Sequence, residues 1–160
     1  MSTRLDNIRV HVRASELEIE AELRHRTNVT ISLGEGVYDF VDESAIEQVL
    51  ANILELLWAG WQREYRKVIE HTDLVIDAED LTDKRFFAER DSVEAVGSSN
   101  DKRITLSTVG MKDYSVHITP GTMRKLTSIE FSVGVGDAAT ELIQDFRDKV
   151  GEVKDRHYNY

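Results

Sequence analysis

Cysteine is absent from the 160 residues, and proline occurs once, at Pro120. Without thiols there is no disulfide framework, no thiolate nucleophile, no zinc ribbon and no cysteine-held iron–sulfur cluster. A cytoplasmic location is the expected one. One proline excludes proline-rich linkers. Long apolar runs are missing as well. The longest, near Leu56 to Gly60, falls far short of the ~20 residues that a membrane span needs, so no membrane partner is expected. The opening Met1-Ser2-Thr3-Arg4-Leu5-Asp6 has no apolar signal core. Positive charge is scarce: 20 Lys and Arg against 30 Asp and Glu leave a net charge of −10 and a pI of about 5.0. Such a surface repels phosphate backbones over long range. The early arginines Arg4, Arg9, Arg13, Arg24 and Arg26 are cancelled by Asp6, Glu16, Glu18, Glu20 and Glu22. Charge therefore disfavours nucleic acid as a partner.

What is present suffices for a core, with 41% hydrophobic residues. Ile8, Val10 and Val12 alternate with Arg9, His11 and Arg13, and Leu17, Ile19, Ala21 and Leu23 alternate with glutamates. Period two predicts two strands, each with one buried face. A two-residue turn at Ala14-Ser15 would set Val12 opposite Leu17 and Arg13 opposite Glu16, although Ala-Ser is a poor turn pair. Val29, Ile31 and Leu33 predict a third strand, closed by Gly34 and Gly36. A helix follows to about His71, its apolar stripe running through Ile46, Val49, Leu50, Ile53, Leu57, Trp61, Tyr65 and Val68. Ser44 with Glu47 has the form of a capping box, and Asp42 is a rival cap.

A shift of 85 residues repeats the pattern. Val10 falls on Ala95, Ile19 on Ile104, Ala21 on Leu106, Val29 on Tyr114, Ile31 on Val116, Leu33 on Ile118 and Gly36 on Gly121. Trp58, Trp61, Tyr65 and Val68 fall on Ile143, Phe146, Val150 and Val153. One constant offset through three strands, a turn and half a helix predicts a tandem duplication. The fold expected is α+β: two repeats, each a three-stranded antiparallel sheet followed by a long amphipathic helix, packed as a pseudo-two-fold unit. Repeat 1 covers 4–72, an acidic connector 73–91, repeat 2 92–157 and a tail 158–160. Within the connector, Thr82 to Arg90 could add a short helix carrying Phe86 and Phe87. The second helix is expected to start near Asp137, leaving 128–136 open between strand and helix, because Gly134 and Gly136 are poor helix formers.

Three strands followed by a long helix resemble the YbaB/EbfC family. The run from Val29 to Leu50 looks like that family's last strand, turn and helix start, and Ile104 to Ser107 with Tyr114 to Thr122 looks like its inner strands. The resemblance covers roughly 8–70 and 92–156 at the level of pattern. It implies a relative of dimeric nucleoid-associated proteins and of accessory proteins and chaperones of type VII secretion loci, with one tandem chain equivalent to a family dimer. The family's leading helix is missing before Ile8, and no basic surface is visible.

No motif makes an enzyme. His11, His25, His71, His117 and His157 are scattered without metal spacing or a nucleophile partner, so neither a catalytic residue, a cofactor nor a metal is expected. Gly134-Val-Gly136-Asp-Ala-Ala139 has the letters of a dinucleotide turn but leaves no room for the strand that must follow. Trp58-Ala59-Gly60 and Tyr38 with Asp42 match letters of type VII secretion signals, the first inside a helix where a core tryptophan is the ordinary reading. The expected function is a non-catalytic adaptor or chaperone-like accessory protein whose partner is another protein, acting as monomer or homodimer. A nucleoid-type DNA-binding protein and a structural component of a larger assembly are the alternatives. Candidate interaction residues are Trp58, Trp61 and Tyr65 on the first helix, and Tyr158 and Tyr160 in the tail.

Overall fold

Period-two alternation becomes two antiparallel meanders, and the three- and four-residue stripes become two long helices. The structure, a computed structural model, describes residues 7–14, 18–34, 38, 41–71, 85 and 88–158. Repeat 1 comprises β1 (Arg9–Ala14), β2 (Ile19–Arg24), β3 (Asn28–Leu33) and α1 (Glu43–His71). Repeat 2 comprises β4 (Glu94–Ser98), β5 (Ile104–Val109), β6 (Asp113–Ile118), a single helical turn at Thr122–Lys125 and α2 (Ser128–Tyr158). The sheets are ordered β1-β2-β3 and β4-β5-β6.

One face of each sheet is apolar. In the first, Val10 pairs with Leu23 and Leu23 with Val29, while Val12 pairs with Ala21 and Ala21 with Ile31. In the second, Gly97 pairs with Leu106 and Leu106 with Val116. The β1–β2 register departs from the tight hairpin expected: Val12 faces Ala21, not Leu17, and Arg13 faces Glu20, not Glu16. A two-residue loop needs left-handed central residues, which Ala and Ser resist. The left-handed residue stands instead at Glu18 (φ 47°), whose carbonyl accepts the Gly34 amide at 3.1 Å. The slip is four residues, an even number, so every apolar side chain keeps its face.

The repeat extends to backbone dihedrals. The β2–β3 turn has positive φ at His25 (52°) and Arg26 (72°), and the β5–β6 turn has it at Gly110 (62°) and Met111 (57°), the same places 85 residues on.

The helices also start at matching points, and this corrects the expectation for the second one. α2 begins at Ser128, 85 places after Glu43, and residues 128–136 are helical throughout. The cause is a capping box that the glycines masked: Glu130 N donates to Thr127 Oγ1 at 3.1 Å, and Thr127 N donates to Glu130 Oε1 at 2.9 Å. Two interior glycines cost about 2 kcal/mol together. Burial of Phe131 and Val135, each at most 1% exposed, returns roughly 3–5 kcal/mol. Asp42, the counterpart of Thr127, caps α1 through Ala45 N at 2.7 Å. Ser44 lies inside the helix, and its supposed partner Glu47 turns to Ile118 instead.

The packing is crossed. α1 lies on β1 of its own repeat and on β6 of the other; α2 lies on β4 of its own and on β3 of the other. Exchanging the repeats exchanges these contacts, which makes the pair pseudo-two-fold and is consistent with an internal duplication. Helix side chains also satisfy strand-edge amides that would otherwise be left without partners. Ile118 N donates to Glu47 Oε2 (2.8 Å), Val29 N to Thr140 Oγ1 (2.9 Å) and Val96 N to Asp145 Oδ2 (3.0 Å). Glu43 adds a bond from Gly121 N at 2.9 Å. The core between the sheets' inner faces and the helices holds Ile19, Leu23, Ile46, Leu50, Ile53, Leu57, Ile104, Leu106, Phe131 and Leu142, all essentially inaccessible. No helix among the described residues is long and apolar enough to cross a membrane.

Candidate interaction surface

The aromatic residues singled out from the sequence form a ladder along α1. Trp58 and Trp61 stack at 5.4 Å with their planes 14° apart, Trp61 and Tyr65 stack at 5.1 Å and 20°, and Trp58 meets Phe146 of α2 edge-on at 5.7 Å. Positions 58, 61 and 65 share a helix face, and all three rings are half-buried against the core. They join the two helices near their middles, Trp58 to Phe146, and do not stand free in solvent. Trp61 Nε1 is buried with no acceptor among the described residues. Tyr160 and the side chain of Tyr158 lie outside the described residues, as do Phe86 and Phe87; Arg85 and residues 88–90 have helical backbone.

The remaining motif residues have packing roles. Tyr38 is buried, stacks obliquely on Phe131 at 5.5 Å and donates its hydroxyl to the Leu126 carbonyl at 2.7 Å. Gly134 and Gly136 lie within α2, not in a turn before it. A Cβ on Gly136 would stand 2.9 Å from the Val29 carbonyl, and one on Gly134 would stand 3.2 Å from the Ile104 side chain. They let the helix approach the sheets. Trp58-Ala59-Gly60 is helical, and Val10 fills the space that a Gly60 side chain would need.

Ionisable groups are paired for structure. Ser99 Oγ, 2.7 Å from Asp101 Oδ1, and then the Arg103 amide hold the Asp101 carboxyl below its usual range. Burial pushes Asp145 up, but the Val96 amide and Lys149, 2.9 Å away, outweigh it and leave the carboxyl lowered. Arg24, hydrogen-bonded at 2.6 Å, lowers Glu22. Burial, with the Glu55 charge nearby, raises the Tyr114 phenol, whose hydroxyl donates to the Met111 carbonyl at 2.9 Å. His11, 3.8 Å from Glu20, and His117 both sit on exposed outer faces. Among the described residues no group of three or more His, Asp or Glu could hold a metal ion.

The surface that stands out was not legible as a motif. Ile129 is 73% exposed and Val133 57%, one turn apart on α2. With Leu126 and Gly134 they line a groove of about 320 Å³ whose other wall is the β4–β5 turn, Ser99 to Asp101. Asp101, Glu130 and Asp137 also line it, and among the described residues no Lys, Arg or His does. The turn is stiffened by Ser99 Oγ, which donates to Asp101 and accepts the Ile104 amide at 3.1 Å.

The two repeats offer an internal comparison. Ile129 and Val133 correspond to Ser44 and Gln48, both exposed on α1. On the outer face of the sheets, Val96 and Val109 are exposed where repeat 1 has His11 and Arg24, and Thr105 and Ser107 stand where it has Glu20 and Glu22. A shallow depression of about 390 Å³ lies over that uncharged face, bordered by Glu94, Asp113 and Lys149. Among the described residues Leu56 is the exposed large apolar side chain that repeat 1 contributes; repeat 2 contributes Val96, Val109, Ile129 and Val133. The cores of the repeats match while their surfaces have diverged. No protein-family model, no curated protein and no solved structure matches this chain.

Proposed function

We propose that the chain is a non-catalytic protein-binding module of the adaptor or accessory type. The observation that carries this reading is the one-sided divergence of the repeats. A pseudo-symmetric core needs no difference between its halves, yet apolar residues replace polar or charged ones at Ile129, Val133, Val96 and Val109. Exposed apolar area contributes nothing to folding and invites association, and here it falls in two separate pairs, Ile129 with Val133 and Val96 with Val109.

The nucleoid-type reading suggested by the resemblance to YbaB/EbfC proteins has weaker support. The net charge is −10, and two outer-face cations of the first sheet are engaged: Arg13 stands 3.7 Å from Glu20 and Arg24 2.6 Å from Glu22. Immobilised protein challenged with native lysate at physiological salt tests the choice. The adaptor reading expects a discrete protein retained after nuclease treatment. Retention of duplex DNA that elutes with salt, with no protein partner, overturns it.

A further inference from the structure

We infer that the groove between α2 and the β4–β5 turn binds a basic amphipathic helix of a partner protein. The inference rests on the protein-binding reading and names its site and the chemistry of the occupant. Ile129 and Val133, at i and i+4, form an apolar strip one turn long, the spacing that receives two apolar side chains from the facing stripe of a helix. Gly134 lets α2 close on Ser99, whose Cβ would stand 3.4 Å from an added Cβ, at the foot of that strip. The turn opposite is held by its own hydrogen bonds before any ligand arrives, so little ordering cost falls on binding.

Charge selects among possible occupants. Asp101, Glu130 and Asp137 ring the apolar strip. The partial positive charge at the start of α2, about half a unit, is outweighed by three carboxylates, although Arg103 at 3.6 Å partly balances Asp101. A second copy would bring the same acidic rim against this one on a chain of net charge −10, and like charges repel. Anionic lipid and nucleic acid are repelled for the same reason. A helix with an apolar stripe flanked by Lys and Arg satisfies both the strip and the rim.

The test uses the full chain and a synthetic peptide of about 18 residues with Leu on one helical face and Lys on the other. Binding is measured by calorimetry, with a Leu/Glu peptide as control. The key variant is Ile129→Ser with Val133→Gln, which installs the residues that repeat 1 carries at the same places. Both positions are exposed, so its thermal midpoint should match the parent's. Expected are one-to-one binding of the Leu/Lys peptide, weakening by at least about tenfold in the double variant, and weakening by about three- to tenfold in Asp137→Lys with a shallower salt dependence. Equal affinity of parent and double variant, or equal binding of the Leu/Glu peptide, overturns the inference. So does a self-association that sedimentation shows in the parent and not in the double variant, which would make a second copy the occupant. A lysate protein retained equally by parent and double variant overturns the groove assignment and leaves the protein-binding reading standing; retention of DNA alone overturns that reading too.

Discussion

Replacing Gly97 by alanine adds one methyl group where two backbones nearly touch. A Cβ at Gly97 would overlap the Ala138 carbonyl and the Leu142 amide and stand 3.0 Å from Leu142 Cα. These are backbone atoms of α2 and cannot swing aside. Relief requires β4 to lift from α2, which also draws Val96 away from Asp145. Overpacking of this kind costs about 1–3 kcal/mol, and backbone obstruction belongs at the upper end. Alanine recovers about 0.5–1 kcal/mol of chain entropy relative to glycine in a strand, so the net loss is about 1–2.5 kcal/mol. For a chain of this size each kcal/mol moves Tm by about 2–4 °C, giving a fall of roughly 2–10 °C. The control is the same substitution at Gly151, exposed on α2 with nothing within 4 Å of its would-be Cβ. There alanine should stabilise by up to about 1 kcal/mol through helix propensity. Urea and thermal unfolding followed by Trp58 and Trp61 fluorescence report both. A Gly97→Ala protein as stable as the parent would refute the close approach of β4 to α2.

Asp145→Ala should cost about 1–2 kcal/mol by leaving the Val96 amide without its acceptor. The folded carboxyl is lowered, so its contribution is complete above the ordinary value of 3.8 and disappears as pH falls through the lower folded value; acid-unfolding curves of parent and variant should therefore converge at low pH. Thr127→Ala should cost about 1 kcal/mol in urea midpoint, and combining it with Glu130→Ala should cost less than the sum, because the two bonds of the capping box are reciprocal. Trp61→Phe should lie within about 1 kcal/mol of the parent, since the lost stacking area is offset by removing an N–H with no acceptor among the described residues, whereas Trp61→Ala should cost about 2–3 kcal/mol, less than a fully buried ring because Trp61 is half-buried; equal losses in the two variants would contradict this.

The architecture was legible because burial imposes periodicity. Ile19, Ala21 and Leu23, and their counterparts Ile104, Leu106 and Thr108, alternate only because one face of each sheet is inside. A constant offset of 85 runs through the strands, the β2–β3 and β5–β6 turns and the helix starts alike. The start of α2 was obscured because Gly134 and Gly136 read as helix breakers, whereas they serve close packing against Ile104 and Val29. Two signals marked that start: Thr127 with Glu130, and the match of Phe131 and Val135 to Ile46 and Leu50. The β1–β2 register was lost to loop chemistry, which alternation does not encode. The groove escaped for another reason. Exposed Ile129 and buried Phe131 are both simply apolar letters, and only the fold sets one against solvent and the other against Tyr38. At the offset of 85, Ile129 and Val133 stand where Ser44 and Gln48 are polar, which is the sequence signal that separates them from core positions.

Crossed packing also sets the order in which this chain can be finished on the ribosome. The Val29 amide finds its acceptor in Thr140, 111 residues later. At about 5–20 residues per second of synthesis, roughly 5–20 s pass between the two. Throughout that interval the apolar face of β3 and its outward amides lack the helix that covers them. The chain made up to β6 but not yet through α2 is thus the state with the most unprotected strand edge, β3 and β4 together, and the moment at which a holding chaperone would matter most to this protein comes before α2 is translated.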